Sequence, residues 1–328
     1  MRAVVVETPG DLDQLRLMDS VERPSVGDND VLVRTAYAGM NFMEVLIRRG
    51  DYLRNPKYPL ILGSEASGIV EEVGSAVTDF KAGDRVAVLS GDRGCYAEYV
   101  CVEQTHVVPI PDAMDLRTAA AYPLQVLTGW GILFASARIQ EGDWVLVHAC
   151  AGGVGLALVQ MARIAGCQVI GTTSSEDKAE LAREMGCEHV INYTQQDFGR
   201  EVRKIVPEGV NVICDSVGKV NVIGNLRAIA NFGLIVVFGY ASGEPKYDDK
   251  LLWGRSCGIT MNGLYHLVPH RREFTRAVRE TTQWILDGRL KLHIGQEYDL
   301  SEVQEAHRAL EGRQSIGKLL LRINSELK

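Results

Sequence analysis

A glycine-rich turn stands near the middle of the chain, between a short apolar run and a helical pattern. The run Trp144–His148 leads directly into Ala149-Cys150-Ala151-Gly152-Gly153-Val154-Gly155. A strand, a glycine turn and a helix in this order can bind the pyrophosphate of a dinucleotide, because glycines admit the phosphates and the helix N-terminus offers free N–H groups. The sequence therefore predicts a dinucleotide-binding turn whose residues are Ala151, Gly152, Gly153, Val154 and Gly155.

Three residues in and before this turn qualify the prediction. Cys150 stands where the fingerprint G-x-G-x-x-G has its first glycine, and the alternative is a purely structural turn in an α/β protein. A positive φ is expected at Gly153, where a β-branched side chain would be strained. His148 is interpreted as a buried structural residue rather than a proton relay.

The residues after the next predicted strand decide which dinucleotide fits. NAD-specific sites place Asp or Glu here against the ribose hydroxyls, whereas this chain has Thr172-Thr173-Ser174-Ser175-Glu176-Asp177-Lys178. Hydroxyls and a lysine suit the 2′-phosphate of NADPH, so NADPH is favoured over NADH. Glu176 and Asp177 fit the first turn of a helix, and the alternative for Lys178 is a plain surface lysine.

The elements that position these turns change in kind along the chain. Residues 1–120 contain short strand patterns separated by turns, with one helical pattern at Phe42–Arg49. From about Thr118 onward, strand-like runs alternate with helical patterns, which predicts a parallel sheet covered by helices on both faces. The tail, with a capping box at Ser301-x-x-Gln304 and a strand at Leu319–Leu321, is expected to fold back onto the first module.

The predicted fold class is therefore α/β, with a Rossmann doubly wound parallel sheet and a second, discontinuous and mostly β domain. Residues 1–124 and 267–328 are assigned to the mostly β domain. Residues 125–266 are assigned to the dinucleotide-binding domain.

Composition narrows the class of protein. The chain has 328 residues, 46% of them hydrophobic and 23% charged, as in ordinary globular proteins. Its net charge of −7 does not favour nucleic acid as a partner. The seven cysteines include no CxxC pair, which favours reduced thiols. No signal-peptide pattern and no apolar run long enough to cross a membrane is found, so a cytoplasmic location is expected.

Further motifs identify a family. They are Gly39-Met-Asn41-Phe-Met-Glu44, Gly63-Ser-Glu65-Ala-Ser-Gly68, Lys81-Ala-Gly-Asp84-Arg-Val86, Asp215-Ser-Val-Gly218, Phe238-Gly-Tyr-Ala-Ser-Gly243 and Gly317-Lys318. Over essentially its whole length the chain resembles the zinc-independent, zeta-crystallin-like quinone oxidoreductases of the medium-chain dehydrogenase/reductase superfamily. The resemblance implies a GroES-like catalytic domain, a Rossmann domain, NADPH as cofactor and a homodimer.

The resemblance also implies roles for individual residues toward the cofactor. Ser175 and Lys178 would hold the 2′-phosphate, and Tyr193 would lie by the adenosine half. The other residues that it assigns to cofactor binding are Phe238, Tyr240, Ser242 and Lys318.

Three residues are implied to border the substrate: Asn41, Tyr52 and Thr128. Thr128 would also face the nicotinamide ribose. Each has a structural alternative that the sequence leaves open. Asn41 would tie down its own loop, Tyr52 would be a half-buried tyrosine, and Thr128 would cap the following helix.

The positions of the superfamily's zinc ligands lack suitable donors in this sequence. Met40 and Asn41 stand near the first ligand position, Ser64 replaces the histidine, and Leu124 stands near the later cysteine. Zinc sites use Cys, His or acidic ligands, so both zinc sites are expected to be absent. Glu65 is interpreted as a structural partner within its domain.

A site without a Lewis acid favours one class of reaction. Alcohol oxidation would lack support for the alkoxide, whereas a quinone or related conjugated carbonyl spreads the charge of an incoming hydride. An amide or hydroxyl donor suffices to stabilise that charge. Leu46, which stands where some relatives carry an aromatic residue, leaves room for an aliphatic enone or an enoyl thioester. The alternatives are an enoyl or 2-alkenal reductase and a weakly active, NADPH-binding, vesicle-associated protein.

Overall fold

The computed structural model describes residues 1–52, 57–91, 94–312 and 315–327. The chain divides into two compact units. Unit 1 comprises Met1–Leu124 and Leu292–Lys328, and unit 2 comprises Gln125–Lys291.

The strands and helices of the described residues follow in chain order. The strands are β1 (Ala3–Val6), β2 (Arg16–Met18), β3 (Asp30–Met40), β4 (Leu60–Ile61), β5 (Glu65–Val73), β6 (Arg85–Leu89), β7 (Tyr99–Glu103), β8 (Val107–Pro109), β9 (Trp144–Val147), β10 (Gln168–Thr173), β11 (His189–Asn192), β12 (Val210–Asp215), β13 (Ile229–Val237), β14 (Gly258–Met261), β15 (Ile294–Asp299) and β16 (Lys318–Arg322). The α-helices are α1 (Phe42–Arg49), α2 (Leu116–Ala120), α3 (Pro123–Trp130), α4 (Gly153–Ile164), α5 (Glu176–Glu184), α6 (Phe198–Ile205), α7 (Val222–Ala228), α8 (Asp249–Trp253), α9 (Arg271–Leu286) and α10 (Val303–Glu311).

Unit 1 is mostly β, as the sequence predicts. Its larger sheet runs β15-β16-β3-β5-β6-β8, with β7 also paired to β3, and a smaller sheet runs β2-β1-β4. Strand β16 pairs antiparallel with β3, so that Leu320 lies opposite Gly39. The C-terminal strand therefore completes the N-terminal sheet, which confirms the predicted discontinuous domain.

Helix α1 ends where the sequence predicts, because its end signals are local. Glu44 accepts a hydrogen bond from the backbone N–H of Asn41 at 2.7 Å, as in a capping box. Gly50 ends the helix in the left-handed conformation, with φ of 79°. Asn41, a predicted site residue, is thereby held at the junction between β3 and α1.

Unit 2 contains the predicted parallel sheet, and every one of its residues is described. Its strands lie in the order β11-β10-β9-β12-β13-β14, and every neighbouring pair is parallel. This is the doubly wound order of a Rossmann fold, in which ligands bind at the carboxyl ends of the strands. The sequence did not predict the edge strand β14.

The second domain boundary lies after Lys291, not after residue 266 as the sequence suggested. Helix α9 belongs to unit 2 because its side chains contact Trp130 and Phe134, near the start of this unit. Nε1 of Trp130 donates to Glu280 at 3.0 Å, and the rings of Phe134 and Trp284 lie 5.9 Å apart. The tail that joins unit 1 begins only at Leu292.

Two further features of the described residues bear on the sequence analysis. None of their helices is long and apolar enough to cross a bilayer. All seven cysteines are free thiols, and five of them are buried.

Candidate functional site

The glycine turn of unit 2 joins β9 to α4 at the carboxyl edge of the parallel sheet. Gly152 is the N-cap of α4 in an extended conformation, and having no side chain it leaves the first N–H groups of the helix uncapped. A Cβ at Gly152 would meet one atom within 4 Å, the carbonyl oxygen of Ala149 at 3.4 Å. The space beside this residue is therefore open, as a bound phosphate requires.

Gly155 has a different role in the same turn. A Cβ there would collide with the carbonyl oxygen of Ala149 and would lie 2.8 Å from Cα of Cys150. Gly155 therefore lets α4 pack closely on the strand end, which is the role of the last glycine in a dinucleotide fingerprint.

The left-handed residue of this turn is not the one that the sequence predicts. Gly153 is the first residue of α4, and its φ is not positive. Ala149 instead adopts a φ of 51°. The turn reverses direction one residue after His148, before the glycines begin, so that expectation for Gly153 was wrong.

The predicted 2′-phosphate residues lie at the next strand end. Ser175 is the N-cap of α5 and Lys178 lies in its first turn, where the helix dipole favours anions. Tyr193 follows β11, is 40% exposed, and donates its backbone N–H to Thr173 at 3.0 Å. These three predicted residues share the carboxyl edge with the glycine turn. Thr172 does not reach the surface, because it is 1% exposed and its hydroxyl contacts His148 at 2.9 Å.

The turn after β13 stands at the same edge. Phe238 donates its backbone N–H to Asp215 at 2.9 Å, and the side chains of Phe238, Tyr240 and Ser242 are half-buried. The Ser242 hydroxyl donates to the carbonyl oxygen of Val217 at 2.7 Å. The turn that carries these predicted residues is thus hydrogen-bonded to the segment that follows β12.

Unit 1 contains a buried charged cluster that sequence reasoning only partly anticipated. Nζ of Lys318 donates to Oδ1 of Asn41 at 2.6 Å and forms an ion pair with Glu65. Nδ2 of Asn41 donates to the same carboxylate at 3.0 Å, and the backbone N–H of Leu124 donates to it at 2.7 Å. The Lys318 and Glu65 side chains are 3% and 0% exposed.

This cluster revises two assignments. Glu65 is a structural partner as predicted, and Gly39 makes room for it because a Cβ there would lie 2.5 Å from its carboxylate. Asn41 does more than tie down its own loop, since its carboxamide joins an ammonium to a carboxylate. Lys318, predicted to bind the cofactor, instead directs two of its donors at Asn41 and Glu65. Its contact with a cofactor stays a prediction.

The remaining predicted substrate residues are placed as follows. Tyr52 is half-buried and packs against the apolar core of unit 1. Thr128 lies inside helix α3 and is 7% exposed, so it does not cap a following helix.

The zinc-ligand positions do not fit a zinc ion. Met40 and Ser64 are 2% and 0% exposed, and neither they nor Leu124 offers a thiolate or imidazole. The nearby carboxylate of Glu65 already holds the Lys318 ammonium. Among the described ranges, no group of three or more His, Cys, Asp or Glu side chains could hold a metal ion.

Family models match both parts of the chain. Residues 27–112 match the alcohol dehydrogenase GroES-like domain, and residues 153–283 match the zinc-binding dehydrogenase model. The second match begins at Gly153, within the glycine turn, and covers strands β10 to β14 of the parallel sheet.

Full-length relatives narrow the family further. The chain is 34% identical to a 2-haloacrylate reductase of Burkholderia sp, over 97% of this chain and 98% of the relative. It is 31% identical to the quinone oxidoreductase of Homo sapiens, over 98% and 97%. A solved structure of Escherichia coli quinone oxidoreductase complexed with NADPH matches with a TM-score of 0.94 and 32% identity, over 98% and 100% of the two chains. The chain belongs to the quinone oxidoreductase family of the medium-chain dehydrogenase/reductase superfamily.

Proposed function

We propose that this protein, an NADPH-dependent oxidoreductase, reduces quinones or related conjugated carbonyls without a metal ion. NADPH supplies a hydride from C4 of its nicotinamide ring. The residues of unit 2 fit this cofactor, because Gly152 leaves space beside an uncapped helix N-terminus and the two residues directly after β10 are serines, Ser174 and Ser175, rather than an acid. The match to a relative solved with NADPH supports the same choice.

The cofactor is assigned along the carboxyl edge of the sheet of unit 2. The 151–155 turn holds the pyrophosphate, and Ser175 and Lys178 hold the 2′-phosphate. Tyr193 lies by the adenosine half, and the 238–242 turn lies by the nicotinamide half. Each assignment is supported by the position of the residue at this edge and by the family resemblance.

The contact between Lys318 and Asn41 carries the proposal for the acceptor. The Asn41 carboxamide has two N–H donors, of which Glu65 takes one. The other is assigned to the oxygen of the acceptor, where negative charge develops as the hydride arrives. The ammonium on Oδ1 draws electron density from the amide and strengthens this donor.

The same cluster supports the proposed metal independence. Lys318 supplies a fixed positive charge, and the zinc-ligand positions offer neither thiolate nor imidazole. Exhaustive chelation followed by assay tests this point, and the rate of NADPH oxidation should stay unchanged. A loss of activity that Zn²⁺ restores would contradict it.

Reduction of a carbon–carbon double bond is a second candidate. The relative from Burkholderia is named as a reductase of 2-haloacrylate, a conjugated acid. Such a reaction also needs a proton on the α-carbon, which a hydroxyl or a water would deliver.

One experiment separates these candidates. NADPH oxidation is followed with 1,4-benzoquinone, a 2-alkenal, an enoyl thioester and 2-chloroacrylate. The leading proposal predicts the highest kcat/KM with the quinone and hydroquinone as the product. In D₂O, a saturated product with deuterium at the α-carbon would favour the second candidate, and turnover of none of the four would contradict both.

The expected assembly and location remain proposals. The family resemblance supports a homodimer, which sedimentation of the purified chain would test. It also supports a small-molecule substrate. The cytoplasmic location and the absence of a nucleic-acid partner are proposed from the cysteines and the net charge of −7 alone.

A further inference from the structure

A chain of hydrogen bonds runs beneath the carboxyl ends of three strands in unit 2. His148, which follows β9, contacts Oγ1 of Thr172 through Nδ1 at 2.9 Å and Oδ1 of Asn225 through Nε2 at 2.8 Å. Nδ2 of Asn225 donates to Oδ2 of Asp215 at 2.8 Å. All four residues are at most 2% exposed, so water does not replace these contacts.

The direction of each hydrogen bond follows from the chemistry of the groups. A carboxylate only accepts, so the Asn225 amide nitrogen faces Asp215 and its oxygen faces His148. Nε2 of His148 must then carry the proton, Nδ1 accepts, and the Thr172 hydroxyl donates. Burial lowers the pKa of His148, against the opposing effect of the Asp215 charge, which agrees with this neutral form.

The two ends of this hydrogen-bond network hold segments that are assigned to cofactor binding. At one end, the carbonyl oxygen of Thr172 accepts the backbone N–H of Cys150, in the turn that is assigned to the pyrophosphate, at 3.2 Å. Thr172 itself lies three residues before Ser175, which is assigned to the 2′-phosphate. His148 therefore connects the turn that is assigned to the pyrophosphate with the turn that is assigned to the 2′-phosphate. The separation of these turns must match the distance between the pyrophosphate and the 2′-phosphate in the cofactor.

At the other end, Asp215 holds the segment after β12. Its Oδ1 accepts the backbone N–H groups of Val217 and Gly218 at 2.8 and 3.1 Å. Val217 in turn accepts from Ser242 in the turn that is assigned to the nicotinamide half. One buried network thus reaches all three cofactor-facing turns.

We propose that His148 is a positioning residue for NADPH: it fixes the separation of the pyrophosphate turn and the 2′-phosphate turn. This rests on the proposed placement of NADPH at this edge, but not on the identity of the acceptor. Removing the imidazole leaves the Thr172 hydroxyl and the Asn225 oxygen without partners, so the strand ends must shift to satisfy them. Phosphate anchors that are displaced in this way bind less tightly, whereas the chemistry of the bound cofactor is unchanged.

The test compares His148→Leu with His148→Gln, which retains a donor toward Asn225. NADPH binding is measured directly by fluorescence titration of the purified protein. The dissociation constant should rise about tenfold or more in His148→Leu, whereas kcat at saturating NADPH should stay within about twofold. The glutamine variant should recover most of the affinity.

Gln160→Leu is the matched control. Gln160 is 6% exposed and bonds to the backbone of Leu156 and Lys291 within the same unit, but it lies about two turns into α4. The Gln160→Leu variant should lower Tm, as His148→Leu does, and should leave the NADPH affinity unchanged. Equal losses of affinity in both variants, or none in His148→Leu, would overturn the proposal.

A variant of smaller size covers the case in which His148→Leu does not fold. Thr172→Val removes only the terminal hydroxyl of the network and should still raise the dissociation constant several-fold. An unchanged constant in a folded Thr172→Val protein would then overturn the inference. Wild-type protein that binds NADPH but reduces none of the four acceptors would contradict the proposed reaction and leave this inference standing.

Discussion

Nζ of Lys318 lies 2.6 Å from Oδ1 of Asn41, although 277 positions separate the two residues along the chain. The contact exists because β16 pairs with β3, whose last residue, Met40, lies opposite Leu319. Lys318 directly precedes Leu319 and Asn41 directly follows Met40, so these two residues lie side by side where the pairing of the two strands ends. The closure of the discontinuous domain therefore builds the charged cluster of unit 1.

Lys318→Met should affect stability and activity by separable routes. It leaves the buried carboxylate of Glu65 without its counter-charge, which costs about 3–5 kcal/mol of unfolding free energy. It also removes the ammonium from Asn41, which should lower kcat about ten- to a hundredfold if a charge-assisted contact is lost. Urea unfolding and steady-state NADPH oxidation measure the two effects.

The double variant Lys318→Met with Glu65→Gln separates these routes. Neutralising residue 65 removes the unpaired charge, so most of the lost stability should return. The activity should not return, because Asn41 still lacks the ammonium. A double variant with wild-type kcat would show that Lys318 acts on stability alone.

Local signals explain why much of the fold could be predicted. The ends of α1 are marked by Asn41, Glu44 and Gly50 within the segment itself, and the prediction of Phe42–Arg49 was confirmed residue by residue. The strand and glycine turn of unit 2 are equally local. In each case the residues that cause the structure lie within a few positions of it.

The positions of α9 and of Gln304 depend on partners that lie far away in the sequence. The helical pattern of α9 is visible in the sequence, but its contact with Trp130 is not, so the helix was assigned to the wrong unit. The predicted capping box at Ser301 and Gln304 stands two residues earlier, where Glu302 accepts from the backbone of Asp299. Gln304 instead donates to the carbonyl oxygen of Leu15 at 3.1 Å.

The candidate site likewise has one part that the local sequence predicts and one part that it does not. The turn that is assigned to the pyrophosphate could be proposed from composition and local context, because the absence of a Cβ leaves space beside Gly152 and avoids a collision at Gly155. The side-chain hydrogen bonds of His148 join the end of β9 to Thr172 in β10 and to Asn225 in α7, and Asn225 extends the network to β12. No spacing along the chain encodes these contacts. A histidine at a strand end, directly before a glycine turn, was the available signal.

Gly155→Ala and Gly152→Ala should have opposite consequences. At Gly155 the methyl group meets the backbone of Ala149 and Cys150, so unfolding free energy should fall by about 1–3 kcal/mol. At Gly152 the nearest atom is 3.4 Å away, so the fold should persist while the methyl group occupies space needed by the pyrophosphate. Urea unfolding and NADPH titration of both variants test this contrast. A folded Gly152→Ala protein with wild-type NADPH affinity would mean that the turn is only a structural corner.

Lys178→Ala should raise the KM for NADPH and leave that for NADH nearly unchanged. Lys178 lies in the first turn of α5, and a charge-assisted contact with the 2′-phosphate is worth about 1.5–3 kcal/mol, or about ten- to a hundredfold. Lys204→Ala, at an exposed lysine near the end of α6, is the matched control and should alter neither value. Equal losses with both cofactors would show that Lys178 does not recognise the 2′-phosphate.

His307 should make the protein less stable in acid. Burial, followed by the charge of Arg48, lowers the pKa of this histidine from 6.5 to about 3. Between these values the unfolded chain binds a proton that the folded protein does not. The unfolding free energy therefore falls with falling pH, by up to about 1.4 kcal/mol per pH unit from this residue.

His307→Leu should accordingly flatten the dependence of stability on pH between 6.5 and about 3. Tyr96→Phe is the control, because the rings of Tyr96 and His307 pack edge to face with their centroids 6.3 Å apart. Burial raises the pKa of the Tyr96 hydroxyl, so this group stays neutral in acid. That variant should shift the whole stability curve without changing its slope. Urea unfolding at closely spaced pH values measures both, and a slope in His307→Leu equal to that of the wild type would mean that His307 is protonated in the folded protein.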